Sequence, residues 1–501
     1  MRRWILLGIL VITATWAGST VFRRHRQAVQ DQREAVQAER EGAKSEAFHR
    51  AAEAFYTQKY ALAEKLITDL LPEAEKYPNR HRLAELLSML GTSYASEHKP
   101  QEAEPALKRS LEVYRSLSPL DPLGTERTEL NLGNIYLDRG DYAVAEPYLT
   151  DARLLSEKTP GQPRYERGAI LLHLGILREM QGHYLEAERL LNGSVDTLQA
   201  DSASWSQTDL ASAFYWLGGV YRLENQYSQA IEFYQKAQSL QEKLLGPNGL
   251  EVSHTLRGLG EVYQAEGQFA RAAEFLNRAE RIAQSSAGPR DNSRAAALLS
   301  RGEAAEDSGR YAQAESLYEQ AIEVDGKTVG PEDPDFALAL IYLGCLYRDQ
   351  QQFDISQADP LLERALAIRE KALGPEHPLT GSVLSDLALT KFYEHKFEEA
   401  ERFAERALPI QEKGYGLESL EVSTTLNRLG LAQRDLHELP QAETSLRRAL
   451  AIREKDLLPD HQWIAISLGN LASVYMAQGE SAKAAPLIER ARTIRAHSSA
   501  R

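Results

Sequence analysis

The residue types that bind metals are present in this sequence, but their spacing does not assemble a site. Two Glu-x-x-His steps occur, Glu46 with His49 and Glu251 with His254. A di-iron bundle needs two such steps on facing helices, together with two further glutamates. These steps stand 205 residues apart, from 46 to 251, and a chain of stacked repeats that touch only their neighbours would keep them apart. We expect no metal site and no cofactor.

The nucleophilic side chains also lack the surroundings of a catalytic site. Cys345 is the single cysteine, so the chain can form neither an intrachain disulfide nor a thiolate metal cluster. We expect its thiol either to fill a small packing position or to face a groove. His377 and His461 occupy the same loop position 84 residues apart, which indicates a repeated turn and not a ligand pair. No Walker loop, nucleophile elbow or HExxH motif occurs, and we predict that the protein is not an enzyme.

The composition is that of a folded, acidic protein. Of the 501 residues, 43% are apolar and 26% are charged, which is too rich in core-forming residues for a disordered chain. The net charge is −14, and it is −19 for residues 27–501 because residues 1–26 hold five arginines and no acidic residue. Since a nucleic-acid backbone is bound through a basic surface, we expect no nucleic-acid partner.

The first residues predict a membrane segment. Nineteen uncharged residues, 4–22, lie between two clusters of arginine and are nearly long enough to span a bilayer. We interpret residues 1–26 as a signal anchor with a single-pass helix, and residues 27–43 as a helical stalk. The alternative is a signal peptide cleaved after Ala17, which would export a soluble protein. The side of the membrane stays open, because arginines flank the segment at both ends.

A period of about 42 residues organises the rest of the chain. A small residue, usually glycine after leucine, recurs ten times, and an alanine follows twelve residues after nearly every one of them. The small residues are Gly91, Gly133, Gly175, Gly218, Gly260, Gly302, Gly344, Ala388, Gly430 and Ala472. Residues 44–80 resemble a degenerate first copy. The pattern therefore predicts about eleven units over 44–497, followed by a tail of residues 498–501.

Each unit has the spacing of two helices. In the unit around Gly260, Leu256, Leu259 and Tyr263 share one helical face, and a second helical pattern begins near Ala272. Helices that pack this closely need a small residue where they touch, so we predict that the repeated small residues are contact points. Pro72 and Pro409 fall nine residues past the repeat alanine, where we predict a kink or an early helix end.

The repeat resembles the tetratricopeptide repeat (TPR), in the 42-residue variety of the kinesin light chain family. The resemblance is strongest over residues 365–378, ALAIREKALGPEHP, and over 449–461, ALAIREKDLLPDH. It implies an all-α protein, an α-solenoid that forms a right-handed superhelix of about eleven helix pairs. It also implies that the first helices line a concave groove that receives a peptide or a partner helix. It carries over neither a motor-binding role nor a cargo.

The resemblance places certain positions of each first helix on the concave side. The candidate groove residues at these positions are Asn131, Asn134, Tyr215, Arg222, Arg257, Arg348, Asn427, Arg434 and Asn470. Asn131 and Asn470 match an asparagine common in the family that could hydrogen-bond the backbone of a partner. The four arginines would form a basic strip suited to an acidic or carboxylate-ended peptide. Acidic residues at equivalent places of a middle unit, Glu303 among them, oppose this interpretation.

These features together predict a membrane-tethered, non-enzymatic scaffold that binds a protein or peptide partner in its groove. One alternative is a regulatory or accessory subunit of a separately encoded enzyme. The other is an exported soluble TPR protein, produced if the first segment is cleaved.

Overall fold

A computed structural model describes residues 46–76, 80–97, 99–159, 164–200, 204–286, 292–350 and 353–498. These residues form twenty-two α-helices and one short 3₁₀ helix, with no strand among them. The predicted anchor over 1–26 and the stalk over 27–43 lie outside the described residues. None of the helices in the described part has the length and apolar character needed to cross a membrane.

The helices alternate as first and second members of eleven pairs. The first members are α1 (46–56), α3 (Arg80–Ser96), α5 (Pro122–Asp138), α7 (Arg164–Met180), α9 (Ser204–Leu223), α11 (Leu250–Ala265), α13 (Ser293–Asp307), α15 (Pro334–Asp349), α17 (Pro378–Tyr393), α19 (Leu420–Asp435) and α21 (Gln462–Ala477). The second members are α2 (Tyr60–Ala74), α4 (Pro100–Arg115), α6 (Tyr142–Lys158), α8 (Tyr184–Leu198), α10 (Tyr227–Leu245), α12 (Phe269–Ser286), α14 (Tyr311–Thr328), α16 (Ala358–Ala372), α18 (Phe397–Tyr415), α20 (Leu439–Asp456) and α22 (Ser481–Ser498). The 3₁₀ helix, Ile355–Gln357, precedes α16, where the repeat spacing lengthens.

The chain divides into two compact units, Met1–Asn131 and Leu132–Arg501. In the first unit, helices α1 to α3 enclose a small core that includes Ala51, Ala63, Ile67 and Leu86. The second unit contains α6 to α22 and holds the larger apolar clusters of the described residues.

The repeated small residues are contact points between paired helices, as predicted. A methyl group added at Gly260 would stand 2.6 Å from the side chain of Leu276 on the second helix. At Gly302 the same methyl would stand 2.2 Å from the ring of Tyr318. The repeat alanines Ala272 and Ala314 are fully buried. Because these positions leave no room for a larger side chain, the 42-residue pattern of small residues marks where the two helices of each pair touch.

The turn inside each pair explains another part of the repeat. The first helix commonly ends in a residue with a left-handed backbone, such as Gly140 with φ 76° or Gly267 with φ 71°. Asn225, His395 and His437 adopt the same conformation at equivalent turns, with φ between 59° and 66°. Glycine reaches this region without steric cost, which explains why it is common at this position. The pairs with asparagine or histidine there form the same turn.

Both prolines that follow the repeat alanine by nine residues lie inside helices. Helix α2 continues through Pro72 to Ala74 and ends at the same offset from its repeat alanine as the proline-free α8, so its end does not confirm an effect of the proline. Helix α18 continues through Pro409 to Tyr415, so an early end at residue 409 was wrong. The stacking of the α18 end residue Tyr415 on Tyr142 and the packing of α18 between its neighbours hold this last part helical despite the missing N–H.

The first helices form the inner wall of the second unit. From α7 to α21, each first helix packs against the first helices of the adjacent repeats, and the second helices of adjacent repeats make no comparable contact with one another in the described residues. Helices at the smaller radius of a curved stack come closer together, so the first helices line the concave side. On the convex side, ion pairs between long side chains bridge the wider gaps between second helices, as Glu242 and Arg278 do at 2.8 Å.

The expectation that each repeat touches only its neighbours was wrong for the second unit. Helix α6 contacts α18, and the Nε2 atom of His377 lies 2.9 Å from the carbonyl oxygen of Arg139, 238 residues earlier. This separation corresponds to between five and six repeats of 42 residues. The superhelix of this unit therefore completes a turn within six repeats and comes back against itself.

Candidate partner-binding groove

The middle of the concave wall carries two arginines that share one carboxylate. Arg222 on α9 places its Nε 3.6 Å from Glu261 of α11, and Arg257 places a guanidinium nitrogen 3.9 Å from the same carboxylate. The hydroxyl of Ser300 on α13 donates to Glu261 at 2.9 Å. The two arginine side chains remain 31% and 30% exposed, so solvent or a ligand can reach them.

The charges in this region shift one another's protonation. Desolvation raises the pKa of Glu303 to about 8, with repulsion from Glu261 acting in the same direction. Desolvation disfavours the charged form of Arg222, but Glu261, Tyr234 and Glu179 together outweigh it, and the pKa of Arg222 lies above its ordinary value. Desolvation of side chains that are still partly exposed is typical of a concave surface, where protein atoms surround a group that water can reach.

Glu179 extends this cluster at the end of α7. Desolvation raises its pKa to about 7, opposed by Arg222 and reinforced by Glu421 of α19. The Oε2 atom of Glu179 is buried and accepts no hydrogen bond from the described residues. The concave wall thus alternates positive and negative groups and is not a uniformly basic strip.

Arg348 lies deeper in the wall and is paired with two carboxylates. It donates to Asp349 at 2.7 and 2.6 Å, and its other guanidinium nitrogen stands 3.7 Å from Asp386 of α17. Arg428 of α19 approaches the same Asp386 oxygen at 3.0 Å. Arg348 is only 6% exposed, so it serves this network and offers little surface to a ligand.

Cys345 lies one turn before Arg348 and is half-buried. Burial raises the pKa of its thiol to about 12, an effect that Arg348 opposes. The thiol is therefore protonated at neutral pH and is a poor nucleophile. This environment agrees with a packing role for the side chain.

The asparagines at the family position join neighbouring first helices. Asn470 donates to the side-chain oxygen of Asn427, 43 residues earlier, at 3.0 Å, and Asn427 itself is buried. In the first unit, Asn131 donates to the hydroxyl of Thr92 at 2.9 Å. A partner backbone would have to compete with these bonds.

The remaining candidates have different surroundings. Arg434 is held by Asp435 at 2.8 and 2.9 Å and reaches Ser473 of the next repeat at 3.1 Å. Tyr215 is half-buried, with its ring against Trp216 and Tyr234. The Oδ1 atom of Asn134 is buried and accepts no hydrogen bond from the described part of the chain.

The structure thus gathers Tyr215, Arg222 and Arg257 into one cluster and places Arg348, Asn427, Arg434 and Asn470 along α15 to α21. Sequence reasoning missed Asp386 and Arg428, which neutralise each other on the wall. A signal existed, because both residues occupy the position two before the small residue, where Asn131 and Asn470 also stand. In the described residues no group of three or more histidine, cysteine, aspartate and glutamate side chains could hold a metal ion.

Comparison with known proteins identifies the class. The tetratricopeptide repeat family matches residues 124–200, 209–285, 293–357, 350–413 and 421–496, well over half of the sequence. The chain therefore belongs to the tetratricopeptide repeat family. No protein of curated function matches it.

Two solved structures are similar to this chain. The apo form of the quorum sensor NprR from B. thuringiensis is 12% identical, with a TM-score of 0.51 over 74% of this chain and 99% of that one. A Rap protein complexed with Competence and Sporulation Factor is 15% identical, with a TM-score of 0.48 over 75% of this chain and 98% of that one. At 12% identity, the similarity to NprR concerns the arrangement of the helices alone.

Proposed function

We propose that this protein is a non-enzymatic scaffold whose second unit binds a segment of a protein or peptide along its concave wall. We also propose that the superhelix is right-handed, as the resemblance implies. The observation that carries it is the cluster of Arg222 and Arg257, because two guanidinium groups share the single carboxylate of Glu261 and stay about a third exposed. The Nε of Arg222 is buried and has no hydrogen-bond acceptor in the described residues.

An acidic segment suits this cluster best. A carboxylate from the partner could accept hydrogen bonds from both guanidinium groups, and charge-assisted bonds of this kind are stronger than neutral ones. Arg348 and Arg434 would add less, because their own carboxylate partners already hold them. We therefore centre the acidic contact on α9 and α11 and not on a strip along the whole wall.

The test uses fluorescence anisotropy with matched acidic, neutral and basic peptides and the purified chain. We expect the acidic peptides to bind more tightly than the basic ones, and the Arg222→Gln/Arg257→Gln variant to weaken acidic binding about tenfold or more. The control variant, Arg281→Gln/Arg402→Gln, removes two exposed arginines from second helices and should bind like the wild type. If the two variants bound acidic peptides with equal affinity, Arg222 and Arg257 would not be the binding site.

We further propose that residues 4–22 tether the solenoid to a membrane, with its sidedness open. A reporter fused after residue 40 would report on which side the solenoid lies, and N-terminal sequencing would reveal cleavage near residue 17. A new terminus there would replace the tether with an exported soluble protein.

A regulatory or accessory role is the remaining alternative. It would use the same groove to hold a separately encoded enzyme. Purification of the chain from its own cells would then recover one enzyme in a fixed ratio to it, whereas a general scaffold would recover no such single companion.

A further inference from the structure

Successive turns of the second unit meet along a line of three equivalent contacts, which we call the seam. His377 reaches the carbonyl oxygen of Arg139, and His461 reaches that of Leu223 at 3.1 Å. Both pairs are 238 residues apart. The repeat between them makes the third contact, where a methyl group at Gly182 would stand 2.9 Å from the backbone nitrogen of Leu420, again 238 residues later in the sequence.

The two histidines each perform two tasks. The Nδ1 atom of His377 accepts the N–H of Leu379 and caps the start of α17, and Nδ1 of His461 caps α21 through the N–H of Trp463, both at 3.2 Å. The opposite ring nitrogen must then donate to the distant carbonyl. Only a neutral imidazole protonated on Nε2 can do both, so the partners assign the tautomer. The residues are 8% and 4% exposed.

The seam differs from the contacts between neighbouring repeats. Neighbouring repeats pack along the whole length of their helices, whereas the seam is a smaller contact that combines apolar packing with polar bonds and is interrupted by a cleft of about 860 Å³. Arg178 and Glu186 line this cleft from one turn, and Glu418 and Lys455 line it from the next. Because this contact is much smaller than those between neighbouring repeats, it can separate while the repeats on either side stay folded.

We propose that His377 and His461 form a latch that holds successive turns of the second unit together and so sets the width of its concave groove. With the latch closed, the turns are fixed at one spacing. With it open, the turns move apart and the wall becomes accessible to a wider partner segment. The effect on partner binding rests on the proposed function, but the opening of the seam does not.

The latch is sensitive to acid because the Nδ1 atom of each histidine must stay unprotonated, and charged groups face both rings. Asp141 and Arg139 face His377 from the loop before α6, and Arg369 faces it from α16. Asp460 and Arg453 face His461. A proton added to either ring would occupy Nδ1 and oppose the N–H that it caps, so protonation removes the geometry of the latch.

A variant can remove the seam bonds and leave the caps in place. Asparagine is a good N-cap residue, but its side chain is too short to reach the carbonyl of the next turn. His377→Asn/His461→Asn therefore tests the latch, and His437→Asn, at an exposed turn, is the matched control. Each is made in a Cys345→Ala background, which removes the single cysteine.

Spin labels on two pairs of exposed positions then report the distances by pulsed electron spin resonance. Leu185 and Leu417 lie on opposite sides of the cleft, and Leu185 with Leu245 forms a reference pair within one turn. We expect the double variant to add a longer distance to the seam pair only, and the control to add none. An unchanged seam pair, or an equal change in the reference pair, would overturn the latch.

Two further arms keep the test decisive. If the double variant loses its helical circular dichroism, each single variant is measured in the same way, and an unchanged seam pair in both would overturn the latch. Acidic peptides are titrated into all variants. An opened seam without any peptide binding would support the latch and count against the proposed function alone.

Discussion

Asp386 and Arg428 occupy the same position of consecutive repeats, 42 residues apart, and pair at 3.0 Å across the first helices α17 and α19. Asp386 also stands 3.7 Å from the nearly buried Arg348. One carboxylate therefore compensates two arginines here, as Glu261 does for Arg222 and Arg257. The concave wall neutralises much of its own charge, while Arg222 and Arg257 on α9 and α11 stay about a third exposed.

Removal of this carboxylate should destabilise the solenoid. In Asp386→Asn, Arg348 keeps Asp349 but loses its second acidic partner while it stays buried, so we expect the free energy of unfolding to fall by about 1–3 kcal/mol. Urea denaturation followed by circular dichroism measures this change. Glu454→Gln, which breaks an exposed pair with Arg490 on the convex side, should cost about 0–1 kcal/mol. Equal losses would show that the wall network is no stronger than a surface ion pair.

The crowded helix contacts predict opposite effects for two glycines. Gly302→Ala places a methyl 2.2 Å from the fully buried Tyr318, and such overpacking should cost about 1–3 kcal/mol or more. Gly326→Ala, within α14, meets only Phe336 at 3.5 Å and should stabilise the protein by about 0.5–1 kcal/mol, because alanine is the better helix former. Thermal unfolding compares the two directly. A stabilising Gly302→Ala would contradict the close packing.

The latch histidines predict a loss of stability in acid. Desolvation lowers the pKa of His377 and of His461 below the ordinary value of 6.5. The unfolded chain therefore takes up protons first as the pH falls, so their contribution is complete above about pH 6.5 and declines toward the lowered folded pKa. Relative to His377→Asn/His461→Asn, the wild type should be more stable by about 1–2 kcal/mol at pH 7.5 and by less at pH 5.5. A constant difference would exclude this linkage.

Glu303 predicts the opposite dependence. Its pKa is raised to about 8, so the folded state holds a proton that the unfolded state releases near its ordinary value of 4.5. The contribution of Glu303 to stability is therefore greatest below pH 4.5 and falls as the pH rises toward 8. Glu303→Gln should stabilise the protein by about 1–3 kcal/mol at pH 8.5, discounted for its partial exposure, and change little at pH 4.5. Unfolding curves at the two pH values measure this, and equal shifts at both would contradict the raised pKa.

Much of the local architecture was predictable from residue types. The spacing of Gly260 and Gly302, and of the alanines twelve residues later, gave the helix pairs and their contact points because each contact joins residues within one repeat. The groove was predictable only in outline. The concave positions of Arg222 and Arg257 followed from the resemblance, but the sharing of Glu261 depends on how adjacent helices are offset, which a periodic pattern does not express.

By itself, the sequence determined that this is a stack of paired helices, because a 42-residue period of small and apolar residues can be buried in few other ways. Only the tertiary structure decided that the second unit closes upon itself, so that His377 meets Arg139 and His461 meets Leu223. The physical reason is cumulative. Each repeat adds a small rotation and rise set by side-chain packing, and the sum over more than five repeats fixes which distant residues meet.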